Sequence, residues 1–105
     1  MRLAAGLKVS ALLRAVNVAG GFGAVLAHGD DQSGSIAVVI REDGEDILLA
    51  PVMAMSGGYE WVETARGEAV QGWVERARRR DPDLWVVEIE GPGARALAAE
   101  TLARD

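Results

Sequence analysis

Cysteine is absent from the 105 residues of this sequence, and its absence excludes disulfide bonds, cysteine-ligated zinc and thiol catalysis. Lysine occurs once, at Lys8, and the formal net charge is -5. A nucleic-acid-binding domain usually presents a basic face, so we expect no nucleic-acid partner. Every uncharged run is shorter than the roughly 18 residues that a membrane helix needs, so we also expect no membrane contact.

Recognisable catalytic and cofactor motifs are missing as well. Gly20-Gly21-Phe22-Gly23 follows a predicted helix instead of a strand, so it is not a dinucleotide-binding fingerprint. The sequence contains no phosphate-binding loop, no nucleophile elbow and no Ser/His/Asp arrangement. We therefore expect no cofactor and assign no catalytic residue. The length and the 50% hydrophobic content predict a single domain over residues 1–105, with residues 1–6 and 104–105 frayed.

Residues 81–90 predict a buried strand around which the rest of the chain is arranged. Successive side chains of a strand point to opposite faces. One face of this strand is wholly apolar and consists of Trp85, Val87 and Ile89. The other face begins apolar and becomes charged from Glu88 onward, as in a strand that is covered on both sides where it begins. Because Pro82 ends the preceding helix, we predict that this is an interior strand of the sheet.

Hydrophobic periodicity and turn residues predict the other elements. The predicted helices cover residues 7–19, 65–80 and 94–103. The predicted strands cover residues 22–27, 35–41 and 46–52 and form a three-stranded antiparallel meander, with a short extra strand at 59–63. An Asp-Gly pair supplies the hairpin turn within the meander. This order of elements predicts an α+β domain with a four- or five-stranded sheet and helices mainly on one face.

Two groups of acidic residues invite comparison with metal sites. Asp30 and Asp31 follow the first predicted strand, and four others surround the hairpin turn at residues 42–46. The two groups lie at opposite ends of one strand, roughly 20 Å apart, so they cannot share an ion. The hairpin group is typical of a solvated turn.

The loop at residues 28–34 should lie near the start of the first helix, because that helix and the returning strand have similar lengths of about 18 and 20 Å. One interpretation is that the two aspartates stabilise the helix amino terminus and Lys8. The other is a polar site for a metal ion or an anionic group, made of Arg14, His28, Asp30 and Asp31. His-x-Asp alone is weak ligand spacing, so no metal ligand is assigned.

Four arginines cluster at the end of the second predicted helix, at positions 76, 78, 79 and 80. Cations are expected there because they interact favourably with the negative end of the helix dipole. The functional interpretation is a patch for an anion or an acidic protein partner, formed by Arg76, Arg79 and Arg80.

Three segments taken together resemble a family of alphaproteobacterial proteins, domain of unknown function 1491. They are residues 9–14 (VSALLR), residues 29–36 (GDDQSGSI) and residues 79–90 (RRDPDLWVVEIE). The similarity spans about residues 7–90. The resemblance implies a cytoplasmic bacterial protein and brings no established activity. The sequence departs from the family at Ala15 and His28, where arginine is expected, and this weakens the case for a basic site around the first loop.

The sequence has enough hydrophobic residues for a core but no group of residues expected to come together as a catalytic site. It therefore predicts a non-catalytic binding or self-association module. Its partner would be a second copy of the chain or another protein. The alternative is a divergent metal-dependent hydrolase or nuclease-like domain that uses Asp30 and Asp31. The element order resembles the outline of restriction-endonuclease-like nucleases, but their Asp plus Asp/Glu-x-Lys motif has no counterpart here, since Lys8 is the sole lysine.

Overall fold

The computed structural model describes residues 3–103. Its elements follow one another in the order α1 (Ala5–Val18), β1 (Phe22–Ala27), β2 (Ile36–Glu42), β3 (Glu45–Met53), β4 (Tyr59–Arg66), α2 (Ala69–Arg80), β5 (Trp85–Glu90) and α3 (Ala94–Leu102). Fraying was predicted for residues 1–6 and 104–105, of which 1–2 and 104–105 lie outside the described residues, whereas Ala5 and Gly6 belong to α1. No described helix is long and apolar enough to cross a membrane.

The five strands form one mixed sheet in the order β1-β5-β2-β3-β4. β5 pairs antiparallel with β1 on one side and parallel with β2 on the other. Leu84, Trp85, Val86 and Val87 are all buried. The prediction of an interior strand that is covered on both faces is therefore confirmed.

The α+β class and the order of elements are confirmed, but the antiparallel meander has different members from those predicted. It consists of β2, β3 and β4, and the extra strand predicted at residues 59–63 is its third member. β1 pairs with β5 instead of β2. The loop between β1 and β2 explains this separation, because the amide of Asp30 donates to the carbonyl of Asp83 and the carbonyl of Ser35 accepts from Trp85. These bonds hold β5 between the two strands.

Helices cover both faces of the sheet. α1 and α3 pack on one face, where their buried residues meet Val38, Ile40 and Val87. α2 packs on the opposite face through Val70 and Ala77. Two of the three helices thus lie on one face, as expected, and the third covers the other.

The turn at residues 42–45 forms as predicted, with Asp43 and Gly44 at φ values of 53° and 78°. The predicted start of α2 at residue 65 is wrong, because β4 continues to Arg66. Arg66 is held there by ion pairs with Glu63 and Glu45. Gly67, at φ 62°, then turns the chain into α2.

Candidate functional site

The loop at residues 28–34 lies against the start of α1, as predicted from the lengths of α1 and β1. The amides of Ala5 and Gly6 donate to the carbonyl oxygens of Gln32 and Asp31, at 3.2 and 2.9 Å. Ala4, the residue that precedes α1, provides no side-chain cap. The backbone of the loop therefore satisfies amides that a capping side chain would otherwise satisfy.

The carboxylate of Asp30 is used within the loop itself. One of its oxygens accepts hydrogen bonds from the amides of Ser33 and Gln32, at 2.8 and 3.1 Å, and from the Ser33 hydroxyl at 3.1 Å. These donors, the Ser33 amide foremost, hold the pKa of Asp30 below its ordinary value. The carboxylate thus closes a local turn of the kind that aspartate commonly forms.

The other side of the loop is bonded to β5. Trp85 is 4% exposed, and its Nε1 donates to the carbonyl oxygen of Asp30 at 2.7 Å. The imidazole of His28 lies on the same indole, with ring centroids 4.1 Å apart. The sequence predicted Trp85 as a core residue of β5 and not as a partner of this loop. No local signal could have revealed it, because the two are 55 residues apart.

The four residues of the predicted polar site lie in two places. His28, Asp30 and Asp31 share the loop, and the His28 Nε2 atom is 3.6 Å from an Asp31 oxygen at an exposed position. Arg14 is eight residues beyond Gly6 on α1, a rise of about 12 Å. It lines a separate open groove of about 670 Å³ together with Leu7, Val18 and Leu97.

Within residues 3–103, no group of three or more His, Cys, Asp or Glu residues is arranged to hold a metal ion. Three of the four acidic residues of the 42–46 hairpin pair with arginines instead. Asp46 pairs with Arg41, Glu45 with Arg66, and Glu42 with Arg95. Ligand binding by the Arg14, His28, Asp30 and Asp31 set stays a prediction.

The arginines at the end of α2 divide into two kinds. Arg78 donates through Nη1 to the carbonyl oxygens of Pro82 and Leu84, at 2.9 and 2.8 Å, and so stabilises the turn into β5. The other three, Arg76, Arg79 and Arg80, are exposed on the helix surface. They stay the predicted patch for an anion or an acidic partner.

A surface that sequence analysis did not single out runs along β1. This strand forms one edge of the sheet, and Phe22 and Leu26 are 58% and 55% exposed. Val25, between them, is 40% exposed. We refer to the side of β1 that faces away from β5 as the β1 edge. The signal available in the sequence was the lack of any charged residue from position 15 to position 29.

The opposite edge of the sheet has a different character. β4 carries Glu60, Glu63 and Arg66, and a register shift interrupts its pairing with β3. Charged side chains and bulges are features by which natural proteins prevent an edge strand from pairing with another chain. β1 has a bulge at Leu26 but no charged side chain. Charged side chains therefore protect only the β4 edge from pairing with another chain.

A comparison with protein families gives a match over almost the whole chain. The model of a family of proteins of unknown function, DUF1491, matches residues 3–99. The chain belongs to the DUF1491 family. All three segments on which the sequence resemblance depended lie within the matched DUF1491 region.

Solved structures agree with this DUF1491 assignment. The crystal structure of a DUF1491 protein from Caulobacter crescentus is 32% identical, with a TM-score of 0.81, and the match covers 91% of this chain and 94% of that chain. The solution structure of a protein from A. tumefaciens is 38% identical, with a TM-score of 0.74, and the match covers 90% and 92%. No curated protein matches the chain.

Proposed function

We propose that this DUF1491 protein is a cytoplasmic, non-catalytic binding module that associates with an extended protein strand along the β1 edge. The observation that carries the proposal is the combination of an unpaired strand edge, exposed apolar side chains and no charge. In residues 3–103, the only strand that pairs with β1 is β5. The amides and carbonyls of β1 that face away from β5 have no other backbone partner in this part of the chain.

Strand addition is a common way in which sheets bind proteins. Backbone hydrogen bonds provide part of the affinity, and side chains on alternating positions provide specificity. The β1 edge offers both, because its outer backbone groups are unpaired in the described residues and Phe22, Val25 and Leu26 supply exposed apolar area. An exposed apolar strand edge without a partner would be a site of aggregation, and a specific partner removes that problem.

Site-specific photo-cross-linking in cells tests the proposal. A photoreactive amino acid replaces Leu26 in one full-length variant and Thr64 in a matched control. Both positions are exposed and lie on edge strands of the same sheet. We expect a protein adduct from position 26, identified by mass spectrometry, and little from position 64. Equal or lower yield at position 26 would show that the β1 edge is not the binding surface.

A further inference from the structure

We infer that the partner strand is β1 of a second copy of this chain, so that two sheets join into one sheet across a two-fold axis. This inference rests on the proposed function and identifies its partner. Three features of the β1 edge favour a second copy: its neutrality, its distance from the acidic side chains of the other copy's β5, and the order of small and large residues along the strand.

Neutrality favours a second copy. Each chain has a net charge of -5, so two copies repel each other overall and a neutral surface is the favourable place for contact. Like charges placed opposite each other on neighbouring strands are destabilising. β1 has the sequence FGAVLA, which contains no charge. The other sheet edge, with Glu60, Glu63 and Arg66, would bring charged residues into the same kind of contact.

The acidic side chains paired with β1 within the sheet lie on β5. Glu88 is the direct neighbour of Ala24 across the β1–β5 pair. In the dimer, the β5 strands of the two copies would be three strand spacings apart, about 14 Å. This distance exceeds the Debye length of about 8 Å at physiological ionic strength. Repulsion between the two Glu88 side chains is therefore largely screened.

The order of residues along β1 suits pairing with itself. In a two-fold antiparallel arrangement the axis passes through one residue, and Ala24 is the central choice. Ala24 then lies opposite Ala24 of the second copy, and Phe22 of each copy lies near Leu26 of the other, where the bulge ends the regular register of β1. Small residues meet at the centre, and the two large exposed side chains cover the ends. The result is a continuous sheet of ten strands, five from each copy.

The strength of the contact follows from its size. A six-residue strand is about 20 Å long, whereas a stable interface typically buries about 800 Å² on each partner. A single strand edge is a small contact. We therefore expect a dissociation constant in the micromolar range, with dissociation of the dimer on dilution.

Charged substitutions of Ala24, the residue at the proposed axis, test this arrangement. Ala24→Lys places two lysines opposite each other in the dimer, and Ala24→Glu places two glutamates there. Sedimentation velocity of the full chain, from about 1 μM to about 500 μM, should show a wild-type dimer at the higher concentrations. Each variant alone should dimerise several-fold more weakly, and Ala24→Glu should show the larger effect because Glu88 of the same chain lies beside position 24. An equimolar mixture of the two variants should recover dimerisation, because each lysine then meets a glutamate.

Thr64→Lys is the matched control, since it adds the same charge at an exposed position of the other edge strand. It should dimerise as the wild type does. If a variant is poorly folded, hydrogen–deuterium exchange of the wild type provides a second measurement that needs no substitution. Amide protection within residues 22–27 should increase with protein concentration. Protection within residues 59–66 should not change.

The outcomes separate the two proposals. A wild-type chain that stays monomeric throughout overturns the second-copy inference, yet leaves the proposed function intact if position 26 cross-links to a different protein in cells. A dimer that persists in both Ala24 variants also overturns the inference, because the contact then lies elsewhere. If position 26 yields no adduct and the chain is monomeric, both proposals are wrong.

Discussion

Two glycines determine how closely the loop at residues 28–34 approaches β5. A Cβ atom at Gly29 would overlap the carbonyl oxygen of Asp83 and lie 2.6 Å from the Trp85 Cδ1 atom. A Cβ at Gly34 would lie 2.9 Å from the same carbon. At these distances the backbone must shift to accept a side chain, so the loop requires glycine at both positions.

We predict that Gly29→Ala lowers the free energy of unfolding by about 1–3 kcal/mol, as overpacked sites generally do. Urea unfolding followed by tryptophan fluorescence measures the change. Gly58→Ala is the control, because nothing lies within 4 Å of its Cβ position. It should be neutral or slightly stabilising. Equal effects of the two substitutions would contradict the close packing of the loop.

Asp30 should make stability depend on pH at the acid end. Its pKa in the folded protein lies below the ordinary value of 3.8, because the Ser33 amide and hydroxyl and the Gln32 amide bind the charged form. The stabilising contribution is therefore complete above about pH 4 and is lost as the pH falls through the lowered pKa. We expect Asp30→Ala to be less stable than the wild type at neutral pH, and this difference to disappear in acid.

Unfolding experiments in urea at a series of pH values measure this dependence. Asp31→Ala is a suitable control, since Asp31 belongs to the same loop and its carboxylate is exposed beside His28. A stability difference between the wild type and Asp30→Ala that stays constant from neutral pH into acid would be evidence against the role of the ionised carboxylate.

The same carboxylate bears on the metal-dependent hydrolase alternative. One Asp30 oxygen already accepts three hydrogen bonds from the loop, and a divalent ion needs several oxygen ligands that converge on one point. We therefore predict no rise in melting temperature when Mn²⁺ or Mg²⁺ is added. A rise that disappears in Asp30→Ala would instead support a metal site in this loop.

At the scale of elements, the junction between α2 and β5 depends on Arg78. The carbonyls of Pro82 and Leu84 both accept from this side chain, in the turn that leads the chain into its central strand. Arg79 is the adjacent residue and is exposed on the helix surface. The two arginines have different environments even though both belong to one basic run.

We predict that Arg78→Ala lowers the free energy of unfolding by about 1–3 kcal/mol, since hydrogen bonds from a charged donor are among the stronger ones. Arg79→Ala should change it by less than about 0.5 kcal/mol, as surface substitutions usually do. Chemical denaturation of both variants provides the comparison. Similar losses would mean that the turn does not depend on Arg78, and that the basic run acts as a whole.

At the scale of the whole molecule, association should stabilise the fold. A dimer that forms only from folded chains raises the melting temperature as the protein concentration increases. We expect a rise of at least a few degrees when the wild-type concentration increases about a hundredfold. Ala24→Lys should show a smaller rise over the same range. A wild-type melting temperature independent of concentration would be inconsistent with the dimer.

Much of the fold could be predicted because its signals are local. The alternation in residues 84–90, the Asp-Gly turn and the apolar stripe of α2 all act between near neighbours in sequence. The boundary between β4 and α2 could not be predicted in this way, because the ion pair of Arg66 with Glu45 joins β4 to the neighbouring strand β3, 21 residues earlier in the chain. The position of the 28–34 loop followed from element lengths, but its bond to Trp85 did not.

The sequence by itself determined which segments are helices and strands, which strand is interior, and that the chain resembles DUF1491 proteins. These properties follow from local backbone preferences and hydrophobic patterns, which neighbouring residues carry. Only the tertiary structure decided that β5 lies between β1 and β2 and that β1 is therefore a sheet edge. Strand order depends on hydrogen bonds between residues far apart in the chain, such as those from Trp85 to Ser35 and from Asp30 to Asp83, and no local pattern specifies them.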